Sequence, residues 1–124
     1  MKKLLFLFAL ILVSCSSNDD ENTEMALNIV NNFSMGEIVL VGWTNADDVE
    51  VIIPKGSSRK FVLTNVPNES LLDVNVTMKC LGKSSKTVRV TVFEGQTTTI
   101  TAQDKADLGP ELCCSCFELF STEN

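Results

Sequence analysis

The chain has 124 residues, with 10 Lys and Arg against 16 Asp and Glu, a formal net charge of −6, and neither His nor Tyr. An acidic chain gains nothing from contacts with phosphates, so we expect no nucleic-acid partner. The lack of His excludes nucleophiles activated by a histidine base and histidine metal ligands, which would leave an enzyme only carboxylates, lysines and thiols. The composition therefore predicts a protein that is not an enzyme and that needs no cofactor.

The N-terminal segment has the pattern of an export signal. Two lysines precede an apolar run at residues 4–13, and the small residue Ser14 stands before Cys15. The run is about ten residues long, half of what a membrane-spanning helix needs. The four residues Leu-Val-Ser-Cys that end at Cys15 resemble the lipobox of a bacterial lipoprotein. The resemblance implies a signal peptide at residues 1–14 and a lipidated, palmitate-bearing Cys15 that anchors the protein to a membrane. The alternative is an ordinary signal peptide that is cut elsewhere.

A polar stretch, residues 15–24, follows the signal and contains no large apolar residue. Such a stretch buries nothing, so we expect a disordered acidic tether. Its serines and acids resemble the acidic export signal of Bacteroidetes-type surface lipoproteins, which directs the protein to the outer leaflet of the outer membrane. The residues that carry this resemblance are Ser16, Ser17, Asp19, Asp20 and Glu21. The resemblance implies a cell-surface location, and a plain hydrophilic linker on a periplasm-facing lipoprotein is the alternative.

Residues 25–103 have the pattern of a β-domain. We predict strands at 26–31, 37–43, 49–53, 59–64, 71–80, 86–93 and 97–102, with turn residues between them. Residues 71–80 alternate most strictly, with Leu72, Val74, Val76 and Met78 on the face that we expect to be buried. The segment 37–43 is apolar on both faces, which predicts a central strand.

About seven short strands at spacings of about ten residues predict an all-β protein, an antiparallel β-sandwich. The strand-turn sequences at 56–67 and 90–100 are similar to those of immunoglobulin-like or transthyretin-like modules in secreted bacterial proteins. The resemblance implies a fold and no activity. The cysteine, tryptophan, cysteine arrangement of true immunoglobulin domains is absent, because no cysteine of the domain precedes Trp43.

Residues 104–124 form a Cys-rich C-terminal tail that we expect to pack on the domain. Pro110 and the acid after it suit the start of a helix, and an extended segment is the alternative. With Cys15 lipidated, the disulfide candidates are Cys80, Cys113, Cys114 and Cys116. Four cysteines outside the cytoplasm indicate disulfides, and we predict one bridge from Cys80 to the tail. A thiolate metal site and a redox site are the alternatives.

Three further features have two interpretations each. The acidic loop with Asp47, Asp48 and Glu50 offers oxygen ligands for Ca²⁺ but lacks the turn glycine and the distal glutamate, so we interpret it as solvated. Trp43 could stack on a sugar, but one tryptophan at the end of an apolar strand favours a core position. Basic residues gather at 55–60 and 83–86, where we predict solvated loop charges rather than an anion site.

The sequence supports one leading functional hypothesis and two alternatives. The leading hypothesis is a lipid-anchored interaction or binding module of the cell envelope, with an unknown protein or glycan as its ligand. The first alternative is a structural accessory subunit of an envelope assembly that engages its partner by strand addition. The second is a thiol-based metal-binding or redox lipoprotein.

Overall fold

The computed structural model describes residues 24–105 and 114–123, which form eight β-strands in two packed sheets. The strands are β1 (Met25–Asn32), β2 (Glu37–Gly42), β3 (Val49–Ile53), β4 (Ser58–Leu63), β5 (Ser70–Lys79), β6 (Lys83–Val92), β7 (Thr97–Asp104) and β8 (Phe117–Glu123). The predicted all-β sandwich is confirmed. The strand count is eight rather than seven, because the tail contributes a strand of its own.

Each sheet has four strands, and both sheets draw on distant parts of the chain. The first sheet has the order β4-β1-β7-β8, and the second has the order β3-β2-β5-β6. Neighbouring strands are antiparallel except β1 and β7, which run parallel with Ala26 opposite Thr97. The central position predicted for the segment 37–43 is confirmed, since β2 lies between β3 and β5.

The core lies between the sheets and follows from the period of two. On β5, Leu72, Val74, Val76 and Met78 are all buried, as their alternation predicts. The inward residues of the other strands complete one apolar cluster, to which Phe33 and Phe117 add two rings with centroids 5.5 Å apart. Full burial of one such side chain stabilises the fold by about 1.5–3 kcal/mol.

The described end of the tail is a strand, so the extended alternative is confirmed there and the helix is wrong for residues 117–120. In β8, Phe117 points into the core opposite Asp104, whereas Phe120 lies on the outer face and is 40% exposed. Without β8, the edge of β7 would offer a row of unpaired backbone groups, and the ladder between the two strands satisfies those groups and the ones of β8 that face them. Pro110, where we expected the helix to start, lies outside the described residues.

The β5–β6 hairpin is tighter than predicted. Its loop is Cys80–Gly82, and β6 already begins at Lys83 instead of at Lys86. Thr77, which the alternation places outside, is buried and lies 2.7 Å from the Ser85 hydroxyl opposite it. The hydrogen bond between the two side chains removes the cost of covering the Thr77 hydroxyl.

Asn31 joins the two sheets at the end of β1. Its side-chain amide donates to the carbonyl oxygens of Gly36, at 3.0 Å, and Ile53, at 2.9 Å, both at the end of the second sheet. Its Oδ1 accepts a hydrogen bond from the backbone N–H of Phe33 at 3.0 Å. The Asn31 side chain is fully buried. These three bonds use both N–H groups of its amide and one of the two acceptor sites of Oδ1.

Candidate functional site

The strand directions give the sandwich two different ends. At one end, β1 stops and the Cys80–Cys114 disulfide follows β5, with the two Cα atoms 5.5 Å apart. We call this the disulfide end, and we call the opposite end, where β1 begins at Met25, the N-terminal end. Since β1 has eight residues, the two ends are roughly 26 Å apart.

The predicted bridge from Cys80 to the tail is confirmed, and Cys114 is its partner. Cys116 is also disulfide-bonded. A sulfur in a disulfide is not a thiolate, so in this oxidised form none of these three cysteines is a thiolate ligand. Cys113 lies outside the described residues. So do the predicted lipidation and export residues, which are Cys15, Ser16, Ser17, Asp19, Asp20 and Glu21.

An open groove of about 620 Å³ lies beside the disulfide and is the candidate site. Met35, Pro54 and Leu81 supply its apolar wall together with the disulfide itself, and we call it the disulfide groove. Leu81 is 97% exposed, because the three-residue hairpin loop holds it away from the core. A bare leucine on a loop beside a cleft is an unfavourable surface that a ligand can cover.

Gly36 allows the chain to pass close to the disulfide. A Cβ atom at this position would lie 2.7 Å from the Cys80 sulfur and 2.7 Å from the carbonyl oxygen of Lys79. Both distances are shorter than a carbon atom tolerates, so the groove has its present shape only with glycine there.

Positive charge collects around the disulfide groove. Lys55 and Lys79 line it, and Lys83 stands directly opposite Lys79 across the hairpin. Two like charges in such a cross-strand position repel each other. Of the lining residues that the structure describes, one is an acid, the half-buried Glu37.

A second pair of lysines lies on the side of the same end. The Lys86 ammonium sits 5.2 Å from the centre of the Phe117 ring, a cation–π contact. Desolvation lowers the pKa of Lys86 below its ordinary 10.5, and the nearby Lys105 ammonium lowers it further, against an opposing effect of Glu118. The fold thus holds two like charges together here, although the Lys105 ammonium disfavours the protonated form of Lys86.

We therefore expect an NMR titration of the side chains to give Lys86 a pKa below 10.5, and Lys105→Gln to raise it. Between the lowered pKa and 10.5 the folded chain binds fewer protons than the unfolded chain, so stability rises with pH across that window. Lys105→Gln should weaken this rise. Lys55→Gln removes the same charge on the far side of the groove and is the control. An unchanged Lys86 pKa in Lys105→Gln would contradict the pairing.

The N-terminal end has the opposite charge. Its loops carry Asp47, Asp48, Glu69 and Glu94 and no basic residue. The ion pairs of the described residues also belong to this half of the domain. Lys60 meets Glu24 at 2.9 Å, and Arg89 meets Asp73 at 2.9 Å. The hydrogen bond from Arg89 lowers the pKa of Asp73 below its ordinary 3.8. In this half of the domain Lys60 and Arg89 are thus paired with acids, whereas the lysines around the disulfide groove are exposed and have no such ion pair among the described residues.

Two features considered from the sequence, Trp43 and the acidic loop, also lie at the N-terminal end. Trp43 is half-buried and packs edge-on against Phe61, with ring centroids 5.7 Å apart, as a core position requires. It also lines a second groove of about 500 Å³ with Val62 and Leu71. Asp47 and Asp48 are exposed, and among residues 24–105 and 114–123 no group of three or more His, Cys, Asp or Glu side chains could hold a metal ion.

The sequence did not reveal the disulfide groove as a site. Its walls come from four separate segments of the chain, and Lys55 and Lys83 were interpreted as solvated loop charges. The usable signal was Leu81, an apolar residue inside a hairpin loop between Cys80 and Gly82, where no core is within reach.

The chain matches no protein-family model, no curated protein and no solved structure. No helix within the described part of the chain is long and apolar enough to cross a membrane. The candidate site therefore rests on the geometry and the charges of the disulfide end.

Proposed function

We propose that the protein is a non-enzymatic, lipid-anchored binding module on the surface of a bacterial cell, and that the disulfide groove is its binding site. The observation that carries the proposal is the position of the groove, at the end of the sandwich opposite Met25. A lipid on Cys15 would hold the N-terminal end near the membrane. The groove would then face away from it, roughly 26 Å farther out than the start of β1.

The framework around the groove suits a binding site. The lining segments are held by the Cys80–Cys114 bridge and by the hydrogen bonds of Asn31 to Gly36 and Ile53. A site on such a framework loses little conformational entropy when it binds its ligand, so more of the contact energy remains as affinity.

The accessory-subunit hypothesis is the second candidate, and one observation favours it. β6 is an edge strand of ten residues, long enough to accept a strand from a partner. Lys83, Lys86 and Arg89 along it are, however, the kind of charges that protect sheet edges from unwanted pairing. The thiol-based alternative has less support, since Cys80, Cys114 and Cys116 are all in disulfides.

Replacing the proposed lipidation residue tests the anchor. We expect Cys15→Ala to move the protein from the membrane pellet to the soluble fraction or to leave it unprocessed, because each buried acyl methylene contributes about 0.8 kcal/mol of membrane affinity. Ser14→Ala keeps a small residue before the cysteine and should remain anchored. If mature Cys15→Ala stays in the membrane like the native chain, the proposed anchor is wrong.

The cell-surface location is tested with protease on intact cells. We expect the native protein to be cleaved, and a variant with Ala at positions 19–21 to be protected until the cells are lysed. If the native protein is protected on intact cells and cleaved only in lysates, it faces the periplasm, and the accessory-subunit hypothesis becomes the better one.

A further inference from the structure

We infer that the disulfide groove binds an extended acidic segment of a partner polypeptide, one that inserts an apolar side chain beside Leu81. The inference rests on the proposed binding role of the groove and adds the chemistry of the ligand. It combines the apolar wall of the groove, the lysines around it and the opposite charge of the other end.

The apolar wall of the groove favours a ligand that has an apolar group. Leu81 is 97% exposed, and Met35, Pro54 and the disulfide extend the same surface. A volume of about 620 Å³ is within the range of ligand clefts and has room for several side chains. Covering the leucine side chain is favourable in proportion to the apolar area that leaves water.

The lysines around the groove favour a ligand that also carries a negative charge beside its apolar group. Lys55 and Lys79 flank the wall, and Lys83 lies opposite Lys79 without an ion pair among the described residues. A carboxylate placed between Lys79 and Lys83 would replace their repulsion with two attractions. Among the described residues two acids lie near these lysines, since Glu37 is opposite Lys79 and Glu50 lines a neighbouring groove with Lys79 and Lys83. The three lysines exceed these two acids, so positive charge remains in excess. Two further acids of the tail, Asp107 and Glu111, are not included in this charge balance, because they belong to residues 106–113, outside the described part of the chain.

A polypeptide fits these features better than an anionic glycan does. Among residues 24–105 and 114–123, those that line the groove include no aromatic ring on which a sugar could stack. The exposed leucine needs an apolar partner, which an acidic peptide supplies and a sulfated sugar does not. The acidic loops of the N-terminal end, with Asp47, Asp48, Glu69 and Glu94, would repel the same ligand and so steer it to the disulfide end.

The test measures the binding of a fluorescent peptide of alternating glutamate and leucine to the purified full chain in detergent, with or without its lipid, by anisotropy at low salt. Peptides with glutamine for glutamate, and with alanine for leucine, separate the charge from the apolar contact. Dextran sulfate is the anionic glycan probe. The protein variants are Lys55→Gln with Lys79→Gln, and Leu81→Ser, all at exposed positions where folding is little affected. Lys60→Gln with Arg89→Gln removes the same charge from the N-terminal half and is the matched control.

We expect saturable binding that the double lysine variant weakens at least about tenfold and Leu81→Ser weakens about fivefold, whereas the control variant changes it less than about twofold. Either substituted peptide should bind correspondingly less. The inference is overturned if the peptide does not bind at about 1 mM, if the double lysine variant matches the control, or if dextran sulfate binds in its place. Because this assay does not depend on the anchor, such a result would contradict the acidic ligand but not the proposed anchored module. The anchored module is contradicted by a different result, namely mature Cys15→Ala that stays fully in the membrane fraction.

Discussion

Asn31→Ala is expected to lower the free energy of unfolding by about 3–5 kcal/mol. The substitution removes the partner of three backbone groups, the carbonyls of Gly36 and Ile53 and the N–H of Phe33. Each buried polar group left without a partner costs about 1–3 kcal/mol, and the part-buried Gly36 carbonyl recovers some of this from water.

Urea denaturation of the two chains gives the difference, and Asn32→Ala is the matched control. Asn32 is the next residue of the same strand, but its side chain is exposed, so its replacement should change the stability by no more than about 0.5 kcal/mol. A loss below about 1 kcal/mol in Asn31→Ala would show that the three backbone groups find other partners and that Asn31 is not what joins the sheets.

Removal of the Cys80–Cys114 bridge is expected to cost about 4 kcal/mol. The two cysteines are 34 residues apart, and in the chain-entropy model a cross-link of that length restricts the unfolded chain by this amount. Cys80→Ala with Cys114→Ala removes the bridge without leaving a free thiol. We expect the variant to keep its β-sandwich, because Phe117 stays buried and β8 keeps its ladder with β7.

The measurement is again urea denaturation, without reducing agent and with far-ultraviolet circular dichroism as the signal. Leu81→Ser is the control, since it changes an exposed residue of the same loop and should leave the midpoint almost unchanged. A cost below about 1 kcal/mol would mean that the unfolded chain is already restricted around the tail, for example by the disulfide of Cys116.

The strands that the sequence predicted best are those whose two faces differ. β5 alternates between core and solvent except at the buried Thr77, and this local pattern survives folding because one face packs on the core and the other is mostly wet. The tail could not be decided in the same way, since both a helical and an alternating pattern fit its few apolar residues. The open edge of β7 decides between them, and that edge exists only once the first sheet has formed.

The pairing of the strands and the candidate site were beyond the sequence for one physical reason. The partners of β1 are β4 and β7, and nothing in the local pattern of residues 25–32 specifies either. The disulfide groove likewise gathers residues near positions 35, 54, 80 and 114. Cys80 was predictable as one half of the bridge because it is the only cysteine between residues 25 and 112. The choice of Cys114 depended on the position of the tail.

The parallel pairing of β1 with β7 sets the order in which the domain can form. A chain is made from its N-terminus, so the strand with Leu27 and Ile29 is complete long before Thr97–Asp104 exists. The hairpin of β5 and β6 can close early, whereas the first sheet must wait for nearly the whole chain and close a long loop. During that interval β1, whose apolar side chains belong to the core, has one neighbour instead of two. The last third of the chain therefore controls both the speed of folding and the time for which an aggregation-prone edge is open.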